Sequence, residues 1–216
     1  MRREEILRAA VDVVNAKGFA ETRVADVAQT LGVSSALVFY HFDTKDRLLS
    51  EAFSYAAERD LERLATIAAS KASATKRLLR ILALYGPGPQ TSPTWPLWID
   101  AWAAALRMPD LQDVSRRLDV HWKDTVAAVI AEGVAGREFR CDDPSAAARR
   151  ITALIDGLAV QATVHQGTVS RAQMTRWVRE TAARELGVGR LDGHVTPATA
   201  SARPRRSTPG GRPKTR

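Results

Sequence analysis

At 216 residues the chain is long enough for one large or two modest domains, each with its own core. Its hydrophobic content of 45 % is rich in Ala and Leu and poor in β-branched runs, which favours helices. No stretch of about 18 apolar residues exists to form a membrane span. The net charge of +8 is concentrated at one end. Residues 188–216 hold seven Lys or Arg against one Asp, while the rest of the chain holds twenty-five basic against twenty-three acidic residues.

Arg2-Arg3-Glu4-Glu5 leads straight into a helical pattern with no signal-peptide character, and Cys141 stands alone, so no internal disulfide can form. Both features lead us to expect a cytoplasmic protein. Cys141 is read as a small surface or half-buried residue in preference to a reactive thiol.

Taken in chain order, Ile6, Leu7, Ala10, Val13 and Val14 keep the three-four spacing of a buried stripe and predict a first helix over residues 3–17, ended by Gly18. Phe19 is expected to pack beneath the pair of short helices that comes next. Thr22 is a candidate N-cap for the first of these, which closes at Leu31-Gly32. Val33 then plugs the junction, and Ser34 offers a side-chain oxygen to the first N–H groups of a third helix, Ser35 to His41. That helix is only about two turns long. Its outward positions are small, hydroxylic or aromatic, which suits a DNA major groove, where acids would be repelled. The pattern predicts a helix-turn-helix; a purely structural helix corner would leave Tyr40 and His41 without a purpose.

A long helix is predicted from Thr44 to Ala69, with Leu48, Leu49, Ala52, Phe53, Ala56, Leu61 and Leu64 inward. Lys45 falls in its first turn, where a cation opposes the helix dipole, so an external anion is its expected partner. Further helices are predicted over 76–85 (closed by Gly86-Pro87-Gly88-Pro89), 95–108, 110–136, 143–166 and 170–186. Val188 onward is Pro, Gly, Ser, Thr and Arg without periodicity, a composition that predicts a disordered basic tail. The fold class is therefore all-α with about nine helices. It divides into a reading head over 1–48, a body over 49–187 and the tail over 188–216.

Thr22, Val24, Asp26-Val27-Ala28, Leu31-Gly32-Val33-Ser34, Val38-Phe39-Tyr40-His41-Phe42, Lys45 and Leu48-Leu49 occur in the order and spacing of a known motif. The stretch resembles the DNA-binding domain of TetR-type bacterial regulators. It departs at Phe39, where that family carries Tyr, so the phosphate-bonding hydroxyl is either missing or supplied by Tyr40. Trp95 to Arg107, Trp122, Gly136-Arg137-Glu138-Phe139-Arg140 and Asp156-Gly157-Leu158 resemble the C-terminal domain of the BetI-type subgroup. Together these resemblances imply a ligand-responsive repressor that binds a palindromic operator on double-stranded DNA as a homodimer and is released by a small-molecule effector.

Residues 1–49 hold seven basic and seven acidic side chains, so DNA affinity must come from their placement. We assign phosphate contacts to Thr22, Tyr40, Lys45 and His41, and base-edge contacts to Ser34, Ser35, Ala36 and Phe39. Arg23 is either a groove reader or a solvated first-turn residue. The outer stripes of the last two long helices (Ile151, Leu154, Leu158, Met174, Trp177, Val178, Ala182) are the expected dimer surface, by resemblance.

Trp95, Trp98 and Trp102 share one helical face, and Trp122 lies on the stripe of the next helix. They form either plain core or an aromatic cavity for a cationic or flat aromatic ligand. Gln161 and His165 are its candidate polar anchors, or else buried or interface residues. Asp100 and Asp156 fall opposite their apolar stripes and are left aside. The BetI-type resemblance implies a quaternary ammonium effector.

No cofactor is expected. The four histidines are scattered without metal-ligand spacing, and neither a Gly-rich phosphate loop nor a nucleophile elbow is present, so the chain is not expected to be an enzyme. The rival reading is an architectural, sequence-blind DNA binder driven by the basic tail.

Overall fold

The computed structural model describes residues 2–86 and 94–192. Among these residues it holds nine helices and no strand. They are α1 (Arg3–Glu21), α2 (Val24–Leu31), α3 (Ser35–Phe42), α4 (Lys45–Ala68), α5 (Ala74–Tyr85), α6 (Thr94–Ala105), α7 (Pro109–Ala135), α8 (Pro144–Val164) and α9 (Arg171–Glu185). Helix boundaries follow local chemistry. Gly32 adopts φ 68° and ends α2, where the Val33 N–H reaches back to the Ala28 carbonyl at 3.0 Å. The hydroxyls of Ser34 and Thr44 accept the N–H groups of Leu37 and Arg47 and so start α3 and α4. Ser170 and Gln173 close a reciprocal capping box at the start of α9.

Three apolar clusters organise the molecule. The first joins α1, α2 and α3 through Ile6, Ala10, Val27, Val38 and Phe42 to Leu48 and Ala52 on α4. The largest lies in the body, among α5, α7, α8 and α9. Between them, Val14, Phe19, Leu49, Phe53, Leu97, Ala101 and Leu111 knit α1 to α4, α6 and α7. Head and body are thus continuous, and α4, 24 residues and about 36 Å long, runs through all three clusters. Phe19 belongs to the middle cluster and not, as expected, to the underside of the helix-turn-helix alone.

The Gly136-to-Arg140 stretch is a packing device. The Glu138 carboxylate accepts the N–H groups of Ala74 and Thr75 at 2.9 Å each and so caps α5. Burial pushes its carboxyl up, but these backbone donors outweigh it and hold it below its ordinary value. The Phe139 ring packs against α7 at Gly133, where a Cβ would sit 2.2 Å from a ring carbon.

Several expectations need adjusting. The N-cap of α2 is Arg23, not Thr22, and α1 breaks at Gly18 but resumes to Glu21. Helices α6 and α8 stop at Ala105 and Val164, short of Met108 and Gln166. The body does not end at 187: the Val188 N–H donates to the Ala183 carbonyl, and Leu191 is buried in the main core. Residues 193–216, most of the expected tail, and residues 87–93, most of the expected Gly-Pro breaker, lie outside the described residues.

Candidate functional site

Helix α3 is held from behind and open in front. Val38 and Phe42 are buried against α1, α2 and α4, while Phe39 is 43 % and Tyr40 80 % exposed. Ser34 and Ala36 are also exposed, and Ser35 and His41 half-exposed, so one solvent-facing surface carries the predicted base-reading residues. Arg23 is exposed at the start of α2, with its backbone N–H held by the Asp26 carboxylate at 3.0 Å. Lys17 also bonds Asp26, at 2.8 Å. Among the described residues, Lys45 makes one weak bond, to the Ala20 carbonyl at 3.4 Å, so its ammonium has donors to spare. Thr22 does not join this surface. It is completely buried and its hydroxyl donates to the Gly18 carbonyl at 2.7 Å, so its role is to close the α1–α2 turn and the phosphate assignment is withdrawn.

The tryptophans come together in the body as a chain of edge-on ring contacts. Trp98 meets Phe53 edge-on at 4.8 Å between centroids, Trp102 touches Trp98 and Trp95 at 6.0 Å each, and Tyr85 bridges Trp95 and Trp122 at 6.0 and 4.8 Å. They enclose a cavity with about 40 Å³ for the centre of a water-sized guest, against roughly 10–15 Å³ for one water. Its walls are Trp95, Trp98, Trp102, Trp122, Tyr85, Leu84 and two carboxylates, Asp60 and Asp119. Burial raises the Asp60 carboxyl above its ordinary value, against the pull of Arg63 and Arg59. Asp119 also accepts from Lys123 at 2.7 Å.

The predicted polar anchors are elsewhere. Gln161 and His165 are exposed on the outer side of α8, because the inward face of that helix is taken by Ile151, Ile155 and Ala159. Asp156, set aside from the helical wheel, instead reaches the cavity wall and accepts the Tyr85 hydroxyl at 2.7 Å. Burial, reinforced by Asp156, raises the Tyr85 hydroxyl, which stays a donor. Burial raises the Asp156 carboxyl too, partly offset by that hydrogen bond. Asp119 had a readable signal, since it precedes Trp122 by three residues and shares its face. Asp60 and Tyr85 had none, because only tertiary packing brings α4 and α5 to the tryptophans.

Asp100 is the other surprise. Its carboxylate accepts the Phe19 N–H at 2.7 Å, just past the break at Gly18. Helix α6 therefore carries three cavity tryptophans and, between Trp98 and Trp102, a latch onto the head.

Comparisons with known proteins fit both halves of this geometry. The sequence profile described as "Bacterial regulatory proteins, tetR family" matches residues 6–52, and that described as "BetI-type transcriptional repressor, C-terminal" matches residues 74–187. The chain belongs to the TetR family, with a BetI-type C-terminal domain. This TetR-family regulator is 25 % identical to the HTH-type transcriptional regulator BetI of Stenotrophomonas maltophilia over 82 % of its length and 88 % of the relative's. It is 28 % identical to that of Cronobacter sakazakii, over 75 % and 79 %. A putative transcriptional regulator from Saccharomonospora viridis, solved in complex with choline, superposes with a TM-score of 0.74 at 29 % identity, covering 82 % of this chain and 93 % of that one. A TetR transcription regulator from Haloarcula marismortui superposes with 0.72 at 25 % identity, covering 85 % and 95 %.

In this TetR-family chain α1–α3 form the DNA-binding head and α5–α9 the BetI-type body. Among its described residues no helix is long and apolar enough to cross a membrane, and no group of three or more His, Cys, Asp or Glu side chains could hold a metal ion.

Proposed function

We propose that the chain represses transcription as a homodimer on a palindromic operator and leaves it when a cationic effector, of the quaternary ammonium class, enters the tryptophan cavity. The observation that carries the DNA-reading half is α3, whose back is buried and whose aromatic and hydroxyl-bearing front is open to solvent. In this reading Ser34, Ser35, Ala36 and Phe39 meet base edges, with thymine methyls as partners for the apolar members. Tyr40, His41 and Lys45 take phosphates, Tyr40 supplying the hydroxyl absent from Phe39, and Arg23 reaches the groove from the start of α2. The dimer is assigned to the outer sides of α8 and α9, where Leu154, Leu158 and Trp177 are half-exposed and Val164 is exposed. Ile151, Met174, Val178 and Ala182 belong to the protomer's own core and are removed from that surface. Twin heads about 34–36 Å apart would then meet successive major grooves.

For the effector, the aromatic walls offer ring faces and Asp60 and Asp119 offer negative charge, the combination that selects a weakly hydrated cation. The choline complex of the Saccharomonospora viridis protein supports this chemistry. The cavity is too small for such a guest as it stands, so binding must part α6 from α7. Because α6 also holds the Phe19 N–H through Asp100, that movement pulls on the break at Gly18 and tilts the head. The effector releases DNA only to the extent that it favours the parted state.

Footprinting on the DNA flanking the chain's own gene, with and without choline, tests the whole reading. A protected inverted repeat that choline clears is the expected result. Protection spread evenly over unrelated DNA would support the sequence-blind alternative.

A further inference from the structure

A second groove of about 750 Å³ opens directly beside the tryptophan cavity. Leu84 lines both. The groove's charged lining is Arg59, Arg63, Arg80 and Arg171 against Glu62 alone, a surplus of three positive charges. Among the described residues Arg59, Arg80 and Arg171 enter no ion pair, so their guanidinium donors remain available. Arg63 stands at the seam: its guanidinium lies 3.6 Å from the carboxylate of Asp60, which faces the cavity. One wall thus passes within a single ion pair from a cation-attracting box to an anion-attracting shelf.

These arginines work against a bare cation, since every positive charge on the shelf repels what the box attracts. An anionic group tethered to the cation reverses that sign. Guanidinium forks match phosphate oxygens two at a time, and several arginines suit a dianion better than a single-charged carboxylate. Resting on the reading of the cavity as a cation box, we infer that the effector is a phosphate-bearing quaternary ammonium compound. Its ammonium sits among Trp95, Trp98, Trp102 and Trp122, and its phosphate lies on Arg59, Arg63, Arg80 and Arg171.

The test is tryptophan fluorescence and calorimetry on the full chain, titrated with choline, phosphocholine and phosphatidylcholine vesicles. The same titrations are run on the double variant Arg59→Gln/Arg80→Gln. Phosphocholine is expected to bind about tenfold more tightly than choline. In the double variant that preference should collapse towards parity, with choline binding retained or improved as repulsion is relieved. Choline binding as tightly as phosphocholine to the unaltered protein overturns the phosphate shelf and leaves the cation box standing. So does a preference that survives in the double variant. Binding to the vesicles alone overturns the inference in favour of a lipid surface. Failure of choline and phosphocholine alike takes down the cation box, and this inference with it.

Discussion

Helices α3 and α6 spend aromatic residues in opposite ways. On α3 the rings of Phe39 and Tyr40 stand in water, with only Val38 and Phe42 buried to hold the helix down. On α6 Trp95 is buried and Trp98 and Trp102 half-buried, each touching another ring. Exposed rings gain nothing from the fold that bears them, so their apolar surface is left for a partner outside the chain to cover. Enclosed rings stabilise the fold already, and a guest must displace contacts that exist. The first arrangement gives a surface that recognises without rearranging; the second gives a site whose occupation must move something.

The largest expected effect breaks the first half of that comparison. Replacing Tyr40 and Lys45 together by Ala removes four contacts from the homodimer and, at about 1 kcal/mol per lost contact, should weaken operator binding about a thousandfold, while the thermal midpoint stays put. Anisotropy titrations of a labelled operator at fixed salt measure it, and an unchanged affinity would remove both residues from the interface. Next comes Trp102→Ala, which should weaken choline binding about tenfold and leave operator affinity in the absence of effector alone. Loss of operator binding instead would mean that the ring merely supports the fold.

Asp100→Ala, which removes the acceptor for the Phe19 N–H, tests the link between the two helices. Operator affinity without effector should hold, but the drop in affinity that choline causes should shrink about fivefold, the scale of a modest coupling energy. An undiminished drop would place the coupling elsewhere. A subtler effect concerns pH. Burial raises the Asp60 carboxyl, so it takes up its proton at a higher pH than an ordinary aspartate and then ceases to attract a cation. Choline affinity should therefore fall on acidification through that raised value, and Asp60→Asn should be weaker but flatter with pH. The sign for stability is opposite. With the folded value above the unfolded one, this group's contribution declines as pH rises between the two. Smallest of all, removing residues 193–216, which carry six basic and no acidic side chains, should leave operator choice intact and only flatten the salt dependence. Cutting at 188 would confuse that experiment, because it strips Leu191 from the core.

The contrast also explains what could be read in advance. The head was legible because its turn chemistry is local: Gly32, Ser34, Thr44 and the buried stripe of α1 sit within a few residues of the turns and helices they shape. Thr22 misled for the same reason. A hydroxyl before a helix looks like a cap, and only the neighbouring break at Gly18 turns it inward. The cavity was half legible. Three tryptophans on one face of α6 declare themselves, but Tyr85 and Asp60 arrive from helices whose own periodicity gives no hint of a shared wall. Gln161 and His165 followed a stripe that proved wider than the face the protomer buries, so they do not anchor the cavity, and of their alternative readings the interface one fits their exposure.

The contact of Phe139 with Gly133 has a consequence for how such sequences can drift. A methyl group at 133 would intrude to 2.2 Å on the ring, and losing the ring would open a void behind the residue whose neighbour, Glu138, anchors the start of α5. Neither position can change first without harm. Lineages that vary one should carry a matched change at the other, an enlarged 133 beside a slimmed 139.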